Sequence, residues 1–197
     1  MGRFVAFEGI DGSGKTTVAK AVHDALASRG LDVVLTSEPT RTWAGEAVRT
    51  AIGGDTEAVT ESFLFLADRA AHTAEIRGWL GQGKTVLCDR YTDSTLAYQG
   101  ARLEGTLDHP IAWLRTLSAR VAIEPDLTLL LRITPATGLR RIAERGRLVR
   151  FEEAAFLEKV AANYDALATA DPRCRAIDAD RPLASVVSDA LTAIDSL

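Results

Sequence analysis

This sequence predicts an α/β fold: a five-stranded parallel sheet flanked by helices on both faces. Five short apolar runs, at residues 4–7, 33–36, 85–88, 127–131 and 175–177, alternate with stretches of helical periodicity. The runs are continuous rather than alternating in polarity, as strands covered on both faces by crossover helices require. A further, local observation is that Gly9, Gly14, Lys15 and Thr16 complete a G-x-x-x-x-G-K-T spacing where the first apolar run gives way to the first helix.

In chain order, helices are expected at 15–28, 44–51, 57–80, 94–98 and onward, 109–121, 135–144, 152–169 and 182–193. Gly30 directly after the first helix suits a C-terminal cap, and Pro135 and Pro182 suit first-turn positions, where a missing N–H costs nothing. In a sheet of this kind ligands collect beyond the carboxyl ends of the strands, near a switch in strand order.

With 197 residues the chain fits one domain, large enough to bury about 70% of its unfolded surface. It is 47% hydrophobic and 25% charged, an ordinary globular balance without low-complexity tracts or solenoid repeats. A net charge of −4 gives no global attraction to nucleic acid or an anionic membrane. The apolar run ending at Glu8 is too short for a secretory signal or a membrane span, and no lipidation motif is expected to operate. Cys88 and Cys174 lack metal-ligand spacing and fall in expected strands as free thiols, which suits a reducing cytoplasm.

The chemistry is concentrated at Gly9–Thr17. Glycines let backbone N–H groups turn inward on a phosphate without a Cβ in the way, and the helix beginning at Lys15 aims its positive end at the same anion. After Asp11-Gly12-Ser13-Gly14, Lys15 would neutralise the outer phosphates and the Thr16 hydroxyl would ligate Mg²⁺, with Thr17 beside it. A nucleotide phosphate is the ligand implied. After the second strand stand Glu38-Pro39-Thr40-Arg41, and after the third Asp89-Arg90-Tyr91, followed by Ser94 to Gln99. Asp89 fits two readings: a metal carboxylate facing the loop, or a turn cap paired with Arg90. Phe65 and Arg69, four apart, share a helical face. On their own they read better as a core ring beside a surface arginine.

These residues resemble the thymidylate kinase family. The resemblance rests on the Phe-Glu-Gly lead-in to the loop, the Glu38-Pro39 turn, Phe65 with Arg69, the segment from Asp89-Arg90-Tyr91 to Tyr98-Gln99, and Pro125-Asp126-Leu127-Thr128. It covers almost the whole chain and is weakest over residues 100–120 and at the C-terminus. It implies a P-loop kinase fold, transfer of the γ-phosphoryl group of ATP to dTMP for dTTP synthesis, Mg²⁺ as cofactor, and a homodimer. Carried over by position, Phe65 stacks on thymine, Arg69 contacts the base, Gln99 offers its amide to it, and Tyr98 lies against the sugar. Asp11 faces the 3′-hydroxyl, and Arg90, Arg41 and, less firmly, Arg49 hold the acceptor phosphate. Glu38, Pro39 and Ser94 complete the dTMP site, and Thr16 and Asp89 form the metal site.

Arg140, Arg141, Arg145, Arg147 and Arg150 crowd one short segment with Glu144 the only acid among them. A solvated helix face and a nucleic-acid patch are open readings on composition alone. The resemblance implies a third: a lid, about residues 140–152, that supplies the catalytic arginine missing from Asp11-Gly12-Ser13, with Arg145 and Arg147 as candidates and Arg141 placed on the adenine. Two positions depart from the family pattern: Arg132 stands where an acid often ends the fourth strand, and Val149 precedes Arg150-Phe151-Glu152.

No catalytic base is needed. His23, His72 and His109 are scattered, and a nucleoside monophosphate with a second pKa of about 6 is already ionised at neutral pH. Two rival functions stay open: a nucleotide-driven switch, although no Asn-Lys-x-Asp guanine reader is present, and a kinase for dUMP, dCMP or a deoxynucleoside.

Overall fold

The computed structural model describes residues 2–144 and 151–197. Strands β1 (Phe4–Glu8), β2 (Val33–Ser37), β3 (Thr85–Asp89), β4 (Leu127–Arg132) and β5 (Cys174–Asp178) form a parallel sheet in the order β2-β3-β1-β4-β5. The helices are α1 (Lys15–Ser28), α2 (Trp43–Gly53), α3 (Ala58–Gly81), α4 (Thr92–Arg102), α5 (Pro110–Val121), α6 (Pro135–Ala143), α7 (Phe151–Ala170) and α8 (Leu183–Asp195). Every strand and helix expected from the sequence is present, with ends shifted by a few residues. Pro182 is an exception in detail, since it caps α8 from outside rather than entering its first turn.

Burial on both faces holds for the inner strands and fails at the edges. All five residues of β1 are buried, whereas Leu35 of β2 is exposed, as are Arg175 and Ala176 of β5. β2 and β5 close the two ends of the sheet, where only part of each face is covered. Side chains of β1 divide by period two. Val5 and Phe7 join Leu87 and the α1 stripe Val18, Val22 and Leu26, while Phe4 and Ala6 join Val86, Cys88, Ile76 and Tyr91.

Local chemistry sets the helix boundaries. Gly14 sits before α1 at φ 91°, a left-handed conformation that glycine adopts without penalty. The Thr42 and Thr134 hydroxyls accept from the N–H groups of Gly45 and Thr137 and so cap α2 and α6. Register brings the carboxyl ends of the inner strands level: Phe7 pairs with Asp89 on one side and Leu129 on the other. The loops after β1, β2 and β3 therefore share one rim.

Candidate active site

The loop between β1 and α1 is a tight backbone cup. Gly9 has φ 138°, and a Cβ there would lie 2.5 Å from the carbonyl oxygen of Leu131. Lys15 is buried in the cup, its Nζ donating to the carbonyls of Gly9 at 2.8 Å and Ile10 at 2.9 Å and to Ser13 Oγ at 3.4 Å. Burial, with Arg90 nearby, lowers the Lys15 pKa to about 7. Gly12 packs against Gly138 of α6, where an added Cβ on either glycine would come within 2.5 Å of the other segment's backbone. Thr17 stands exposed beside Thr16 on the first turn of α1. Arg141 reaches back from α6 to the same loop, donating to Gly12 O at 3.3 Å and pairing with Asp180.

Across the rim, the Thr16 hydroxyl donates to Asp89 Oδ2 at 2.5 Å. The other carboxylate oxygen of Asp89 is buried without a partner. Among the described residues no three His, Cys, Asp or Glu side chains converge. A hydroxyl and one carboxylate with a vacant oxygen suit a small hard cation that takes its remaining ligands from water and phosphate, as Mg²⁺ does. Arg41 is exposed and opens with Thr16 and Asp89 onto a cleft of about 690 Å³.

Arg90 follows Asp89 in a left-handed conformation, φ 69°. This turn, of a kind bulky residues seldom adopt, sends its side chain back toward the loop. There it pairs with Asp11, donates to Ser94 Oγ at 3.4 Å, and lies 5.2 Å from the centre of the Tyr98 ring. The Tyr98 hydroxyl accepts from the Asp11 N–H at 2.9 Å, and burial raises its pKa to about 12. Asp11, Arg90, Ser94 and Tyr98, predicted separately, thus form one contiguous group. Ser94 is tied mainly to Glu8, which accepts from its hydroxyl at 2.5 Å, from the N–H groups of Tyr91 and Ser94, and from Tyr164 Oη at 2.9 Å.

Glu38 turns away from the rim. Its carboxylate pairs with Arg69 and accepts from His72 Nδ1 at 2.9 Å, and His72 Nε2 lies 2.7 Å from Thr36 Oγ1. The part of Glu38 in the site is therefore indirect, through Arg69. Arg69 is not a surface arginine. It is 1% exposed, donating further to Thr95 Oγ1 and Tyr91 O at 2.9 Å each, and only its Nε lacks a partner. Pro39 follows Glu38 through a cis peptide bond. Arg49 clasps that turn, donating to Pro39 O and Thr40 O while pairing with Glu46, so its guanidinium serves the backbone. Phe65 is half-buried one turn before Arg69 on α3. Gln99, on α4, is 4% exposed, and its Oε1 has no partner. Arg145 and Arg147 lie outside the described residues.

Sequence reasoning missed Glu8, Thr95, His72 and Tyr164. Glu8 carried a signal, an acid closing a wholly apolar strand, and His72 another, a position three after Arg69 on the same helix. Thr95 and Tyr164 carried none.

A tight glycine loop, a buried lysine within it, and a Thr–Asp pair at the rim of a parallel sheet define a P-loop phosphotransferase fold. The profile of the thymidylate kinase family matches residues 7–190. Similar proteins include a probable thymidylate kinase of Methanosarcina mazei, 44% identical over 92% of this chain and 89% of its own length. Another, from Methanococcoides burtonii, is 42% identical over 100% of this chain and 98% of its own. A third, from Natronomonas pharaonis, is 39% identical over 98% and 97%. The chain belongs to the thymidylate kinase family, whose members are enzymes that phosphorylate dTMP.

Proposed function

We propose that this chain, folded as one domain, transfers the γ-phosphoryl group of ATP to dTMP through the residues gathered on the rim. The observation that carries this reading is the Asp11–Arg90 pair. It links the loop that would cup ATP to the strand end that would grip the acceptor. The Gly9–Thr17 loop and Lys15 would hold the β- and γ-phosphates, with Arg141 beside them. Arg90 and Arg41 would fix the acceptor phosphate, Asp11 and Tyr98 its sugar, and Phe65, Arg69 and Gln99 its base.

Thr16 and Asp89 are the residues that would hold Mg²⁺. Bound there, the ion would supply neutralisation of the phosphates' negative charge. The chain's own contribution is alignment and fixed positive charge, since the attacking phosphate oxygen is already ionised. Arg145 and Arg147 are proposed to close over the phosphates and exclude water.

A homodimer and a cytoplasmic location belong to the same proposal. The free thiols Cys88 and Cys174 support a reducing compartment. None of the described helices is long and apolar enough to cross a membrane.

The test is a coupled phosphoryl-transfer assay across nucleoside monophosphates, with Lys15→Ala and Arg90→Ala as controls. Turnover that needs a pyrimidine deoxynucleotide acceptor and falls in both variants supports the reading. ATP hydrolysis indifferent to any acceptor would favour the switch class instead.

A further inference from the structure

α3 and α4 are pinned together by two polar clasps on either side of Phe65. At one end Arg69 donates to Thr95. At the other, Glu61 accepts from Gln99 Nε2 at 3.0 Å through Oε1 and from Arg102 Nη1 at 2.7 Å through Oε2. Glu61, Phe65 and Arg69 are spaced by four and share one face of α3, as Thr95 and Gln99 share one face of α4. Glu61 is 1% exposed. Each clasp leaves one buried polar atom without a partner, the Gln99 Oε1 acceptor and the Arg69 Nε donor.

The geometry points to Glu61 as a positioning residue that sets which nucleobase the site accepts, by fixing the orientation of the Gln99 amide. This inference rests on the base reading given above. A carboxylate paired with an arginine can only accept hydrogen bonds. Glu61 therefore draws the NH₂ of Gln99 to itself, which leaves the carbonyl end unpaired. Turning the amide over would set its oxygen against the carboxylate. One unpaired acceptor, on Gln99, and one unpaired donor, on Arg69, are the complement of a pyrimidine with N3–H and a C4 carbonyl, as in thymine and uracil. Cytosine presents the reverse, an acceptor at N3 and a donor at C4, and would leave Gln99 Oε1 unsatisfied.

Glu61→Gln tests the assignment. Arg102 would draw the oxygen of the introduced amide, so its NH₂ would face Gln99, and Gln99 would turn its own NH₂ to the base. We expect the ratio of kcat/KM for dTMP to that for dCMP to fall roughly ten- to a hundredfold, with most of the change in KM. In a Gln99→Leu background the same substitution should leave the ratio unmoved, a coupling that a merely structural role would not produce. Should Glu61→Gln not fold, Glu61→Met removes the orienting acceptor, and the ratio should fall toward that of Gln99→Leu. An unchanged ratio in the single variant, or an equal fall in the Gln99→Leu background, overturns the role of Glu61 while dTMP remains the acceptor. If the unaltered protein does not prefer dTMP to dCMP, or if Gln99→Leu does not change the preference, the base reading itself fails.

Discussion

The Thr16 hydroxyl and the Asp89 carboxylate meet at 2.5 Å across the gap between the phosphate loop and β3, with Asp89 Oδ1 left unpaired. Thr16 stands on the first turn of α1, past the loop that follows β1, and Asp89 ends the neighbouring strand β3, whose register with β1 sets Phe7 against Asp89. Asp89→Asn would keep the shape and a weaker bond to Thr16 but lose the charge. We expect the Mg²⁺ concentration for half-maximal activity to rise about 10–100-fold. A magnesium titration of initial rates would check this, and an unchanged midpoint would remove Asp89 from the metal site.

Lys15 should take up a proton when nucleotide binds. Its pKa is lowered from 10.5 to about 7 by burial and by Arg90, so at pH 8 roughly nine-tenths of it is neutral in the free protein. A polyphosphate in the cup would favour the ammonium form. Titration calorimetry at pH 8 should therefore give binding enthalpies that differ between buffers of high and low ionisation heat. At pH 8 the nucleotide's phosphates are already fully ionised, so the difference should vanish there in Lys15→Ala. That variant should also lose about 10²–10³ in kcat.

Two glycine substitutions should act with opposite sign. Gly138 lies in α6, but a Cβ there would meet the Asp11 carbonyl oxygen at 2.5 Å. Gly138→Ala should therefore destabilise the fold by about 1–3 kcal/mol despite the better helix propensity of alanine, and raise the KM for ATP by displacing the loop. Gly78, exposed in α3 with nothing within 4 Å of its would-be Cβ, should gain about 0.5–1 kcal/mol as alanine. Urea unfolding of both variants measures the contrast.

The buried pair Glu38–Arg69 should be costly to break from one side. Glu38→Gln leaves the Arg69 guanidinium, 1% exposed, without its counter-charge. Removing one partner of a buried pair costs about 3–5 kcal/mol. Chemical denaturation of the variant should show a loss of this size, and the KM for dTMP should rise with it.

Asp93 predicts a pH effect on stability. Burial, with Glu8 and Asp171 nearby, raises its pKa from 3.8 to about 7. The folded state therefore holds more protons than the unfolded one between those values, and the stability it contributes is present at low pH and lost as pH rises through 7. Asp93→Asn should melt higher than the parent at pH 8, by a few degrees, and the gap should close toward pH 4. Thermal melts across that range would show it, and a gap constant with pH would point to packing instead.

The strands were legible because burial on both faces makes them continuous apolar runs, and the helices because burial of one face imposes a 3.6-residue period, as in Val18, Val22 and Leu26 of α1. The phosphate loop was legible because its conformation demands glycine at set positions. The surroundings of Arg69 were not. Its partners Glu38, Tyr91 and Thr95 come from the loops after β2 and β3 and from α4, and no local periodicity records a hydrogen bond between segments that meet only on folding. The same holds for Arg49, which reads as a surface charge until the turn at Pro39 is folded against it. At the edges, the apolar runs of β2 and β5 overstated burial, because composition does not say which strand ends a sheet.

Glu8 belongs by its backbone to β1, paired with Leu130 of β4, and by its carboxylate to the start of α4. One residue thus anchors both the root of the phosphate loop and the helix that carries Ser94, Tyr98 and Gln99. Donor and recipient nucleotides would rest on a shared, unyielding bed. Any adjustment of the distance between them would then fall to outlying parts of the molecule, and softening that bed with Glu8→Gln would blur the alignment of both substrates at once.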